Sequence, residues 1–388
     1  MGNLKGVKIC GQPSWRFAAD KVTAAVTQLG GHLGPVRFRL PHGMVEPFSV
    51  APWAEEKISA SEPDLLRALR GDFFCAPFGA SDKAYRGEKH APHGEVANAT
   101  WKFESLVKNK LETTLHLSLR TKVRKGCADK FVSLRKGETA LYCRHVLSGM
   151  TGKMSYGHHA MLKFPDAPGS GLISTSPITF AQVSTLPFEN PAKGGYQSLK
   201  QGAEFSRLDQ VPALDGSLAD LSSYPARRGF EDLVMLAHQA ATDFAWTAVA
   251  FPKQRYVWFA LKDPRVLRST VFWISNGGRH YAPWSSRHTG VMGLEDVTSY
   301  FHHGLPASAE ANSFSKRGII TCVELKPFAP LVVNYIMGVA AIPAKWGAVK
   351  SITRMEGGVV LQSAGGRDVF APVNVRHLYS TATDFVAC

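Results

Sequence analysis

The sequence predicts an all-β protein with a few short helices, and two observations carry that prediction. Between Leu111 and Val123 the apolar residues Leu115, Leu117 and Leu119 alternate with polar ones, the period-two pattern of a half-buried strand. Strand-like runs at Phe131–Leu134 and Ala140–Leu147 then follow across Lys136-Gly137, separated by glycine turns rather than by helices, which points to antiparallel pairing.

The same reading extends along the chain. Trp15 to Leu40 reads as two or three strands, with Val22, Ala24 and Val26 alternating and Gly30-Gly31 as punctuation. Pro63 to Leu69 predicts a short helix with Ser61 as its N-cap and Leu65, Leu66 and Leu69 on one face. Pro165 to Leu221 is rich in Gly, Pro and Ser and reads as long loops. Gly229 to Ala241 and the apolar run Pro330 to Ala344 both read as helices, the second buried. Strands are expected at Trp246 to Leu261 and Arg268 to Ile274, and an alternating tail from Gly358 to Leu378 turns at Gly365-Gly366. The expected organisation is one β-sandwich domain over residues 1–388.

Composition narrows the function classes. With 388 residues, 45% hydrophobic and 20% charged, the chain has material for a large core and is not a disordered one. The six cysteines have neither the CxxC spacing of a zinc knuckle nor the pattern of a secreted disulfide framework, so a cytoplasmic protein is expected. Met1 to Trp15 has no signal-like apolar stretch, and Pro330 to Ala344 is too short for a membrane span, so no membrane partner is expected. The net charge of +14 would suit nucleic acid, an anionic membrane surface or an acidic small substrate. Arg120, Lys122, Arg124 and Lys125 are spread along strand-like sequence without a nucleic-acid-binding motif, so no specific nucleic-acid partner is expected.

Three islands combine titratable groups with Gly, Pro and aromatics, the composition of rigid loops that present side chains. The first is Arg70-Gly-Asp-Phe-Phe-Cys-Ala-Pro-Phe-Gly79 followed by Pro92-His-Gly-Glu-Val-Ala-Asn-Ala-Thr-Trp101. The second is Tyr156-Gly-His-His-Ala160. The third runs from Asn276 through Arg279 and Trp284 to Gly293-Leu-Glu-Asp296.

In this order the islands resemble the galactose mutarotase-like, or aldose 1-epimerase, superfamily and its hexose-6-phosphate relatives, over roughly residues 14–380. The resemblance implies a β-supersandwich and interconversion of α and β sugar anomers on a monosaccharide or derivative. It places Glu295 as the base, His159 as the acid and His93 as a hydrogen-bonding partner of the sugar; His158 competes with His159. Arg70, Asp72, Phe78, Asn98, Trp101, His158, Arg279 and Trp284 are the implied substrate-binding residues. Asn98 and the Ala-Thr before Trp101 depart from the usual mutarotase residues, as does the basic approach to Glu295. Ring opening needs one acid and one base, so neither metal nor cofactor is expected. The basic balance tilts the expected sugar toward an anionic one.

Two alternatives stay open. One is a carbohydrate-binding or sensing protein without catalysis. The other is a metal-dependent sugar isomerase or lyase using His90-x-x-His93-x-Glu95, His158-His159 or His302-His303. Trp15, Trp246, Trp258 and Trp273 are expected to be core residues only.

Overall fold

A computed structural model describes residues 5–381. Its architecture follows from strands whose two faces are both covered. An N-terminal meander of five strands (Val7–Ile9, Gln12–Ala18, Val22–Thr27, Leu33–Leu40 and Gly43–Val45) leads into a nine-stranded and an eight-stranded antiparallel sheet. A three-stranded sheet, Val349–Met355, Gly358–Ser363 and Val369–Pro372, closes the chain.

Alternation along each strand sorts side chains into layers. In the eight-stranded sheet Val234, Leu236, Phe272, Met292 and Leu294 face a central core shared with Leu117, Trp258 and Tyr335 of the nine-stranded sheet. The intervening Leu233, Met235, Val271, Trp273 and Val297 face the other way, into a second cluster with Leu66, Phe73 and Trp284. Behind the nine-stranded sheet, Tyr142 and Phe259 pack against Trp346 and Leu361 of the C-terminal segment. The candidate site described below lies on the second cluster's side.

Two expected helices are strands. Glu231–His238 is buried along its whole length between the strands Ile178–Val183 and Ser269–Ser275. Leu331–Ala341 lies between Ala140–Ser148 and Tyr256–Lys262 in the middle of the nine-stranded sheet. A central strand packed on both faces is apolar at odd and even positions alike, so it loses the period-two signal and reads like a buried helix. The short helix does form, over Asp64–Ala68, but Pro63 occupies its N-cap and no side chain caps it. Ser61 instead shares a 2.8 Å hydrogen bond with Ser59. The described residues contain no helix long and apolar enough to cross a membrane.

Charged groups also lie inside the sandwich. Asp296, on the strand Val291–Thr298, accepts hydrogen bonds from Lys262 Nζ (2.5 Å) and Tyr335 Oη (2.7 Å) of the opposite sheet and from Thr270 Oγ1 (2.7 Å) of its neighbour strand. Lys262 and Asp296 are essentially inaccessible to solvent. Burial pulls the Lys262 ammonium pKa down, and Asp296 counters it. Removing one member of such a pair leaves the other charge desolvated and unmatched. Asp296→Asn is therefore expected to cost about 3–5 kcal/mol of folding stability, measured by urea or thermal unfolding; a loss below about 1 kcal/mol, the scale of a surface pair, would contradict this.

Candidate functional site

The site begins with strand parity. Glu295 and Asp296 are neighbours on one strand, so one points into the sandwich and the other out of it. Glu295 emerges on the outer face, on the same side as Trp273 of the adjoining strand and Leu233 of the strand beyond it, and lines a cavity of about 220 Å³. Its carboxylate lies over Gly293, where a β-carbon would come within 2.4 Å of Oε1. The glycine of Gly-Leu-Glu is thus a cradle for the carboxylate two residues along the same face.

His158 and His159 divide in the same way. His158 turns inward, donating from Nδ1–H to Asp72 Oδ2 (2.8 Å) and stacking on Tyr335. His159 turns outward and brings Nε2 to 3.1 Å from Glu295 Oε1. That distance suits a hydrogen bond, but the alignment does not, and Glu295 Oε1 and His159 Nδ1 are both buried without a hydrogen-bond partner. The pair is in contact, and Glu295 Oε1 takes no hydrogen bond from within the protein. Phe73 lies between the rings of His32 and His159, with centroids 4.1 and 4.4 Å away, and so fixes the His159 plane.

His93 comes from a loop rather than a strand. It is half-buried, with its backbone in the left-handed region at φ 61°. Gly94 follows at φ 78°, where a β-carbon would meet the Ala76 carbonyl at 2.0 Å. Strain of this kind persists where surrounding structure overdetermines it. Here the His93 N–H donates to Gly79 O at 2.7 Å, and Asn98 Nδ2 ties the loop through Pro92 O and Gly94 O. The Gly79 N–H approaches His93 Nδ1 at 3.4 Å, which makes Nδ1 the acceptor and leaves Nε2–H as the donor. His93 meets His159 edge to face at 5.0 Å between centroids.

Burial sets the protonation of the group. It raises the Glu295 carboxyl well above the ordinary carboxylate range. It lowers His159 to about 3 and carries His93 and His302 well below the usual imidazole value. Burial therefore favours the neutral imidazole of His159 and holds back ionisation of Glu295. One acid and one base are the equipment for general acid–base chemistry.

A second polar cluster forms the other part of the wall. Arg279 donates from Nε to Glu189 Oε1 at 2.6 Å, and its guanidinium lies 4.5 Å from the Trp284 ring centre. Burial opposes the Arg279 charge, but Glu231 and Glu189 hold it protonated. Glu231 sits behind Trp273, accepting from its Nε1 at 3.1 Å, and burial pushes its pKa up to about 7.

Of the residues proposed from sequence, the cavity brings together His93, His159, Glu295, Arg279 and Trp284. The others lie elsewhere. Arg70 is fully buried and spends its guanidinium on the carbonyls of Ala68, Ile9 and Cys10, clamping the N-terminal meander. Asp72 is equally withdrawn: besides binding His158, it accepts from the His159 backbone N–H at 3.1 Å. Asn98 holds the His93 loop, while Phe78 packs edge-on behind His93. Trp101 donates to Val96 O inside the core. These residues support the site instead of lining it, because short motifs do not reveal on which side of a strand or loop each side chain emerges.

Trp273, expected to be core alone, lines the cavity, as do Phe188 and His302. Trp273 pairs directly with Gly293. Its parity with Glu295 is visible only once that register is known. The metal-ligand alternatives do not converge. His90 contacts Glu88, Glu95 accepts from the Lys122 and Val123 N–H groups, and His158 and His159 diverge. Among the described residues no group of three or more His, Cys, Asp or Glu side chains is arranged to hold a metal ion.

No protein-family model matches the sequence, and no curated protein does. The fold does match solved structures. A candidate aldose 1-epimerase from Escherichia coli K12 superposes with a TM-score of 0.58 at 10% identity, covering 86% of this chain and 100% of its own. A galactose mutarotase related enzyme from Lactobacillus acidophilus gives 0.54 at 13%, covering 84% and 97%. An aldose epimerase homologue from C. elegans gives 0.55 at 11%, covering 86% and 100%. The chain thus has the β-sandwich fold shared by aldose 1-epimerase and galactose mutarotase-like proteins.

The Gly293 cradle is directly testable. Gly293→Ala is expected to melt within a few degrees of the native protein, because the atom in conflict is the end of a flexible side chain, but to push the carboxylate off His159. A crystal structure of the variant with that contact still at 3.1 Å would refute the cradle.

Proposed function

We propose that the protein interconverts the α and β anomers of a monosaccharide or derivative by acid–base ring opening, as an aldose 1-epimerase does. The observation that carries this reading is the buried Glu295–His159 contact, both residues lining one cavity of about 220 Å³.

In this mechanism the C1 hydroxyl of the sugar donates to the Glu295 carboxylate, whose Oε1 lacks a hydrogen bond within the protein. That hydrogen bond favours the carboxylate form, and the pair's proton sits on His159. Glu295 takes the C1 hydroxyl proton as His159 protonates the ring oxygen, the C1–ring oxygen bond breaks, and a free aldehyde results. Rotation about C1–C2 presents the other face, and the same transfers in reverse close the ring. His93 donates from Nε2 to a sugar oxygen and steadies charge building there. Trp273 and Trp284 offer apolar faces to the ring.

Glu295→Gln keeps the shape and removes the base. Exchange NMR should show it binding sugar while slowing anomer exchange by about 10²–10⁴-fold. A variant as fast as the native protein would exclude Glu295 as base; native protein no faster than water across a broad sugar panel would favour a binding or sensing role instead.

The pH dependence follows from the shifts. His159, lowered to about 3, takes up a proton only far below its ordinary value of 6.5, and Glu295 ionises only above its raised pKa. The plot of kcat/KM against pH is therefore expected to lack an acid limb from His159 near 6.5, that limb lying well below. A limb near 6.5 that disappears in His159→Gln would contradict the lowered imidazole.

A further inference from the structure

We infer, resting on the proposed function, that the sugar is uncharged and presents hydrogen or a methyl group, not a hydroxyl, toward the helix Asp64–Ala68: a deoxy sugar. The cavity of about 220 Å³ admits a single ring, so each edge of that ring meets protein or the mouth. The polar side chains that line the cavity are Glu295, His159, His93, His302, Arg279, Ser81 and Asp82.

The wall made by the short helix is different in kind. Pro63, Leu65, Leu66 and Leu69 line it, and none carries a polar side-chain atom. Its backbone is already committed. Leu65 N–H donates to Asn98 Oδ1 (3.0 Å), Leu66 N–H to Pro63 O (3.0 Å), and Leu66 O accepts from Trp53 Nε1 (2.8 Å). Ala68 O accepts from Arg70 Nε, and Leu69 O from Ala51 N–H. A hydroxyl pressed against this surface would lose water and gain no partner, whereas a C–H or methyl edge would gain contact.

Charge excludes the anionic sugar suggested by overall composition. Among the described residues Arg279 is the only Lys or Arg lining the cavity, and Glu189 already matches it at 2.6 Å, with Glu231 close behind. An anion placed there would meet a cation that is already paired and a carboxylate beside it. The chain's surplus of positive charge therefore lies outside the cavity.

The test uses the native protein and four probes of one configuration: an aldohexose, its 4-deoxy and 6-deoxy analogues, and its uronate. Exchange NMR gives kcat/KM for each, and saturation-transfer titration ranks binding independently of catalysis. At least one deoxy analogue should exceed the parent hexose about tenfold in both rankings, the scale of a single-group discrimination, with the uronate lowest. A parent or uronate that equals or exceeds both deoxy sugars overturns the inference while leaving anomer exchange standing. Deoxy-selective binding without acceleration of any sugar sustains the inference and overturns the proposed activity. Leu66→Asn, confirmed folded by its melting curve, should shrink the deoxy preference; an unchanged preference counts against the helix wall, and if that variant does not fold the native ranking decides.

Discussion

The structure depends on the buried Asp296 carboxylate. Two sheets with apolar inner faces can slide over one another at modest cost, since hydrophobic contact is not directional. A carboxylate that must find Lys262, Tyr335 and Thr270 at once permits one alignment. Asp296 therefore pins its strand to the opposite sheet, and Glu295, one residue earlier, inherits a fixed position on the outer face. The inward charge locates the outward one.

The inner layer also holds the histidine side of the site. Asp72 binds the His158 ring and the His159 backbone with its two oxygens, so one buried carboxylate places both. Phe73, the next residue, supplies the ring on which His159 stacks. The three segments that carry Asp72, His158 and Glu295 are hydrogen-bonded to one another at or beside these residues: Gly157 pairs with both Cys75 and Val297. A displacement behind the sheet would thus be felt at the Glu295–His159 contact. Residues whose side chains never touch the cavity explain much of its geometry.

Burial then gives the cavity its chemistry. The same desolvation raises the carboxyl and lowers the imidazole, with no cation beside them needed. Arg279, although close, is neutralised by acidic residues of its own wall. The cavity is consequently less basic than the chain, and composition is a poor guide to its ligand.

The sequence by itself determined the β class, the positions of several long strands, and the three islands that hold His93, His159 and Glu295. These rest on local signals, namely alternation, glycine turns and clustered chemistry, which a linear chain displays. Tertiary structure decided which side of each strand a residue serves. It turned His158 and Asp72 inward, used Arg70 and Asn98 as ties, brought Trp273 to the cavity, and made strands of Glu231–His238 and Leu331–Ala341. The physical reason is common to all of these. Burial on both faces erases the pattern that would reveal a strand, and the partner of a buried polar group is fixed by sheet pairing and packing between residues far apart in the chain.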